Sequence, residues 1–181
     1  MSDATTNGRP VWQMRLAGPE DLDVIMAIET PTFTTDAWSP SAMLSDLESK
    51  HTVYLVAFDQ QQPDDIVGYA GLLAPIGSGE ADIQTIAVAE SARGNGLGRL
   101  LMQTLIGEAR ARRAEHVFLE VRADNPVAEG LYETLGFERI AVRPHYYQPD
   151  DVDAHIMRLE LEQPQLRPAV GPIGSELGSP S

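Results

Sequence analysis

With 181 residues the chain has room for one domain of the typical size, roughly 150 residues, and a short overhang. A hydrophobic share of 43% and a charged share of 22% suit a packed core, and the lack of cysteine excludes disulfides, thiolate metal sites and a thiol nucleophile. The 13 basic residues against 27 acidic ones leave a net charge of −14, the wrong sign for gripping a phosphate backbone, so no direct nucleic-acid binding is expected.

Residues 1–11 are polar and aperiodic, and 163–181 hold four Pro, three Gly and three Ser. Both ends are expected to be disordered around a domain spanning 12–162. A short strand over Gln13 to Ala17 leads to Gly18-Pro19, after which Leu22, Ile25, Met26 and Glu29 recur at helical spacing. Ser39-Pro40 reads as the cap and first position of a second helix carrying Met43, Leu44 and Leu47. β-Branched and aromatic runs at Val53 to Asp59 and Ile66 to Pro75, separated by the polar stretch Gln60 to Asp65, predict an antiparallel hairpin. The turn Gly77-Ser78-Gly79 opens a strand over Asp82 to Val88. A glycine loop and a helix from about Leu97 to Arg112 follow, with Leu97, Leu100, Leu101, Leu105 and Ala109 on one stripe. Next come a strand over Val117 to Val121 and a helix over Val127 to Leu135, opened by Asn125-Pro126 and closed by Gly136. Strands over Phe137 to Val142 and Ala154 to Leu161 end the domain, flanking a loop rich in aromatic and acidic residues. The sum is a mixed α/β domain with an antiparallel front half and a βαβ-like back half.

Charge is unevenly spread. From Leu16 to Ala92 the only basic residue is Lys50, against 13 carboxylates, whereas Arg93, Arg99, Arg110, Arg112, Arg113 and Arg122 follow closely. This is either a solvated acidic surface beside helix-face arginines, or an anionic ligand near Arg93 with a basic partner elsewhere. No run approaches the roughly 18 apolar residues that span a bilayer, and Met1 to Asn7 has neither the basic nor the apolar region of a signal peptide, so a cytoplasmic chain without membrane contact is expected. His51, His116, His145 and His155 show no paired ligand spacing, and no metal is expected.

The loop Arg93-Gly94-Asn95-Gly96-Leu97-Gly98-Arg99 joins an apolar strand to a helix start, where unpaired N–H groups and the dipole favour an anion. It lacks the Gly-Lys-Ser/Thr ending of a P-loop, and its G-x-G-x-G spacing is not that of a dinucleotide fold. It is either a tight strand-to-helix turn or a Q/R-x-x-G-x-G/A phosphate loop. With Ile86-Ala87-Val88 before it, the segment resembles the acetyl-CoA motif of the GCN5-related N-acetyltransferases (GNAT). Leu119 to Asn125, Leu131 to Phe137, and Tyr146-Tyr147 before Ile156-Met157 are similar to the RimI-type ribosomal-protein-alanine N-acetyltransferases of that superfamily. The resemblance covers roughly Arg15 to Leu161 and includes Ala37-Trp38-Ser39, where the family usually shows Pro-Trp-Ser.

The resemblance implies the GNAT fold, a twisted, mostly antiparallel sheet of about seven strands flanked by about four helices. It implies direct acetyl transfer from acetyl-CoA to the N-terminal alanine of a basic ribosomal protein, the eighteenth of the small subunit. Ile86, Ala87 and Val88 are then expected to hold the pantetheine arm through their backbone, and Arg93, Gly94, Asn95, Gly96, Leu97, Gly98 and Arg99 the pyrophosphate. Asn125, by position a helix cap, gains a cofactor contact. An α-amine, with a pKa of about 7.7–8.0, is mostly protonated at neutral pH and needs a base. Glu120 matches that base, although its alternation with Val117, Leu119 and Val121 also suits a solvent-facing strand residue. Tyr132 matches the acid that meets the leaving thiolate, or is a packing aromatic beside Leu131 and Leu135. Trp38, Tyr146 and Tyr147 are expected to line a peptide groove, the two tyrosines alternatively anchoring a loop. A lysine, with a pKa about 2.5 units higher, asks roughly 3.4 kcal/mol more of the base, which favours the α-amine; the rival reading is an acetyltransferase acting on a small-molecule amine or a protein lysine, and a non-catalytic acetyl-CoA sensor is a third. A monomer is expected.

Overall fold

A short strand, β1 (Trp12–Leu16), starts a sheet of seven strands in the order β1-β2-β3-β4-β5-β7-β6. The others are β2 (Thr52–Asp59), β3 (Gln62–Leu73), β4 (Glu80–Val88), β5 (His116–Arg122), β6 (Glu138–Tyr147) and β7 (Val152–Glu160). Four helices accompany them: α1 (Leu22–Thr32), α2 (Pro40–Glu48), α3 (Leu97–Ala111) and α4 (Pro126–Thr134). The computed structural model of the chain describes residues 8–162, so 1–7 and 163–181, where disorder is expected, lie outside the described residues.

The sheet is covered on both faces. Leu101, Met102, Leu105 and Ile106 of α3 pack with Leu55, Leu72, Val117, Leu119 and Val121, and Tyr132 of α4 joins them. On the opposite face Ile25 and Ile28 of α1 and Met43 of α2 meet Tyr54, Val56 and Tyr69. Helix α2 opens as the sequence predicts, with Ser39 Oγ accepting from the Ala42 amide at 3.2 Å.

Three expectations are revised. The polar stretch after β2 is mostly strand, because Asp59 already faces Gln62 and only Gln60-Gln61 turns; exposed residues at a sheet end keep the ladder whatever their polarity. Strand β6 continues past Val142 to Tyr147, so the two tyrosines stand at the end of a strand that holds register with β7 at Tyr147↔Val152. In α3 Leu100 is only half-buried while Met102 and Ile106 are buried, because the helix turns a broad face to β2, β3 and β4.

Gly71 on β3 marks the tightest packing, since a Cβ there would lie 2.3 Å from the Tyr54 ring, whose hydroxyl is held by Asp46 at 2.8 Å. The ring has no free direction in which to retreat. Gly71→Ala is expected to lower unfolding free energy by about 1–3 kcal/mol, read from urea denaturation.

Candidate active site

All but one neighbouring pair of strands run antiparallel; β4 and β5, linked through α3, run parallel. Their ladder covers only Glu80–Asp82 against His116–Phe118. Beyond it β4 stays paired on its other edge with β3 as far as Val88, and β5 with β7 as far as Arg122. The two strands therefore part, and the β5-facing edge of Ile83 to Val88 has no strand partner among the described residues. The gap forms an open cleft of about 1740 Å³.

At one end of the cleft lies the glycine loop. Gly94 and Gly96 have φ of 76° and 80°, left-handed values that a side chain would oppose. They turn the chain so that α3 starts without a side-chain cap and without an acidic residue in its first turn, whereas α2 and α4 are capped by Ser39 and Asn125. Free first-turn amides beside Arg93 and Arg99 suit a diphosphate. The arginine side chains also pin the loop: Arg93 donates to the Val88 carbonyl at 3.0 Å and Arg99 to Thr134 Oγ1 at 2.7 Å. Of the predicted cofactor residues, Ile86, Ala87, Val88, Arg93, Gly94, Gly96, Leu97, Gly98, Arg99 and Asn125 border the cleft. Asn95 does not; its amide folds onto the Arg93 carbonyl at 3.1 Å, and its own carbonyl accepts the Trp12 indole N–H at 3.0 Å. Asn125 acts as the predicted cap, accepting from the Ala128 amide at 3.2 Å.

Glu120 and Tyr132 border the same cleft. Glu120 is engaged by Arg143 at 2.7 Å, and the Arg143 guanidinium lies 5.5 Å from the centre of the Tyr146 ring. Hydrogen bonding to Glu120 pushes the Tyr146 hydroxyl up. Tyr132 packs beside Phe137, and burial pushes its phenol up to about 12, so it keeps its proton at neutral pH. Burial likewise raises Tyr147 to about 12. On β4, Asp82 is raised by desolvation and then by the charges of Glu80 and Glu120.

The far end of the cleft has two walls. One is the loop 33–39 between α1 and α2, which includes Trp38, and the other is the end of β6 with Tyr146 and Tyr147. Arg122 joins them: its guanidinium reaches Asp124 and Asp150 at 3.0 Å and Asp36 at 3.8 Å, and lies 5.0 Å from the Tyr147 ring centre. Thr35 Oγ1 donates directly to Asp150 across the gap at 2.9 Å. At this end Asp36, Asp124 and Asp150 surround Arg122 and Glu120 meets Arg143, while the glycine loop brings Arg93 and Arg99 to the other. The charge asymmetry of the sequence thus becomes a polarity along one cleft.

Three residues of the site were not evident from the sequence. Arg122 stood out only as the last of a run of arginines, Arg143 carried no signal, and Glu29 read as one member of an amphipathic helix stripe; Glu29 is fully buried at 0% exposure. Its Oε1 accepts the Trp38 amide N–H at 2.8 Å, its Oε2 accepts from the Tyr69 hydroxyl, and Thr85 lies at 3.5 Å. Glutamate falling on the buried stripe of α1 was the available signal.

Comparison with known proteins fits this geometry to a family. The sequence model described as "Acetyltransferase (GNAT) family" matches residues 22–137. The chain belongs to the GNAT family. Among curated relatives of this GNAT chain, the N-alpha-acetyltransferase RimI of Mycobacterium tuberculosis is 37% identical over 131 residues, 71% of this chain and 79% of the relative. A putative [ribosomal protein bS18]-alanine N-acetyltransferase of Bacillus subtilis is 31% identical over 84% of this chain and 96% of its own length. An uncharacterized protein of Mycobacterium leprae is 37% identical over 147 residues, but the GNAT chain spans only 39% of its length. The crystal structure of the ribosomal-protein-S18-alanine N-acetyltransferase from Escherichia coli superposes with a TM-score of 0.74 at 27% identity, covering 93% of this chain and 100% of that one. The expected GNAT fold is therefore the observed one. No helix among the described residues is long and apolar enough to cross a membrane.

Burial pushes the Glu29 carboxyl above its ordinary value near 4.5, against the hydrogen bonds from Trp38 and Tyr69. A raised folded value stabilises the fold below the unfolded value, and that contribution is lost as pH rises through the folded one. Glu29→Gln does not ionise. Its stability relative to the wild type is expected to rise between about pH 4 and pH 7, measured as the difference in urea midpoints at the two pH values.

Proposed function

We propose that this chain is an acetyl-CoA-dependent N-α-acetyltransferase that acetylates the N-terminal alanine of a small-subunit ribosomal protein of the bS18 type. The observation that carries the reading is the parting of β4 from β5, which leaves a free strand edge leading from the glycine loop to Glu120. Relatives named for this reaction match most of the GNAT domain.

Acetyl-CoA supplies an acetyl group activated as a thioester. The amides of Gly94 to Arg99 and the guanidinium groups of Arg93 and Arg99 hold its diphosphate, and the backbone of Ile86 to Val88 binds the pantetheine arm as an added strand. Asn125, at the mouth of α4, adds a polar contact. Trp38, Tyr146 and Tyr147 hold the peptide, and the carboxylates of this end attract its cationic N-terminus. Glu120 takes a proton from the α-ammonium, directly or through one water, so that the nitrogen lone pair bonds to the acetyl carbon. The carbon–sulfur bond breaks, Tyr132 gives its hydroxyl proton to the departing sulfur, and the second proton that the nitrogen sheds on becoming an amide returns Tyr132 to its neutral form by way of solvent. Transfer is direct from thioester to amine, as the resemblance to the family implies, and the chain has no cysteine to carry an acyl group between them. The open cleft admits a peptide more readily than it encloses a small amine. No metal takes part in this scheme, and the protein acts as a monomer in the cytoplasm.

Acetyl transfer to a peptide copying the N-terminus of the cognate bS18, beside the same peptide with its α-amine blocked, tests the reading by thiol release and mass. Turnover is expected only with the free α-amine. Glu120→Gln and Tyr132→Phe are each expected to lower kcat by about 10²–10³-fold while acetyl-CoA still binds. No turnover of either peptide would overturn the ribosomal assignment and point to a small amine or a lysine.

A further inference from the structure

Glu29 is a buried carboxylate for which no cation is at hand among the described residues; its partners are the Trp38 amide and the hydroxyls of Tyr69 and Thr85. Leaving a carboxylate in the interior without a counter-charge is costly, and an apolar residue of like size generally serves a fold as well or better. The fold around it does not depend on that charge: Ile25 and Ile28 already seat α1 on the sheet, and Tyr69 and Thr85 bond each other at 3.1 Å. What Glu29 alone supplies is the acceptor for Trp38. The loop 33–39 is further attached by Thr35 to Asp150 and Asp36 to Arg122, both at the exposed cleft mouth, and by Phe33 and Trp38 packing against the core of Ile25, Ile28 and Tyr69. Glu29 is thus the inner polar tie of a wall whose outer polar ties are open to water.

We propose that Glu29 is a positioning residue for the acyl acceptor: by holding the Trp38 backbone against β3 and β4 it fixes the loop 33–39 as a rigid wall of the peptide end of the cleft, without touching the reacting atoms. The inference rests on the proposed N-α-acetyltransferase reading for its kinetic consequence. It predicts a selective effect, because the bond to Trp38 bears on the loop 33–39, whereas at the acetyl-CoA end β4 keeps its pairing with β3 and its Thr85–Tyr69 bond when Glu29 is replaced.

Glu29→Leu leaves Tyr69 and Thr85 to bond each other and removes the acceptor for the Trp38 amide together with the second partner of the two hydroxyls, whereas Glu29→Gln retains an amide oxygen for Trp38 and an N–H₂ that the two hydroxyls can accept. With the bS18-type peptide, Glu29→Leu is expected to raise the peptide KM about ten-fold or more, with the acetyl-CoA KM within about two-fold of wild type and the protein still fully folded at the assay temperature. Glu29→Gln is expected to restore the peptide KM to within about three-fold. A second readout needs no turnover: in a Trp12→Phe background Trp38 is the remaining tryptophan, and Glu29→Leu is expected to increase its quenching by acrylamide while Glu29→Gln does not. An unchanged peptide KM in Glu29→Leu, both KM values rising together with a fall in Tm, or Glu29→Gln as impaired as Glu29→Leu would each overturn the proposal. If wild type itself fails to turn the peptide over, the functional reading fails and the quenching comparison alone decides the role of Glu29, unchanged quenching in Glu29→Leu refuting it.

Discussion

The site depends on one constraint in the sheet: β4 and β5 are parallel, share a ladder of only three residue pairs, and then diverge. Each is held on its far edge by an antiparallel neighbour, so neither can bend back to close the gap. The two cores, one on each face, fix the strands in this parted state. Backbone N–H and C=O groups left along the inner edge of β4 are obligatory hydrogen-bonding groups, and an extended amide-bearing chain satisfies them as another strand would. The glycine loop closes one end of the gap and the two loop walls frame the other. The proposed places for a diphosphate, an extended arm and a peptide N-terminus thus all follow from one break in a ladder.

Local chemistry carried most of what the sequence revealed. Alternation and turn residues gave the strands, Ser39 and Asn125 gave two helix starts, and the glycines between Arg93 and Arg99 gave the turn into α3, because each depends on neighbours within a few residues. The contacts that shape the cleft are different. Arg122 meets Asp150, Arg143 meets Glu120, and Trp12 meets Asn95 across the chain, and no periodicity records which distant partner a charged or aromatic side chain will find. Glu29 was visible as a helix-stripe residue, but its isolation in the interior and its bond to Trp38 follow from how α1 lies on the sheet. The polar turn between β2 and β3 was overestimated for a related reason: composition reports solvent exposure, whereas a ladder at the end of a sheet is a backbone property.

Electrostatics divides the cleft by function. Uncapped amides and two arginines mark one end for an anion, and carboxylates that outnumber the arginines mark the other for a cation. Between them stand a carboxylate tethered by Arg143 and a phenol whose burial keeps it protonated, the two groups that an amine losing a proton and a sulfur gaining one require. Arg122 and Glu29 act on the walls and not on the chemistry, one from the solvent side and one from the core. The net charge of −14 is therefore distributed with a purpose that its total does not reveal.

The central claim, that the unpaired edge of β4 and the glycine loop together receive acetyl-CoA, is tested most directly by amide hydrogen exchange with and without it. The account predicts slowed exchange at Ile86 to Val88 and from Gly94 to Arg99, with β1 and β2 unchanged. Protection confined to other segments, or no change along β4 while acetyl-CoA is bound, would contradict it.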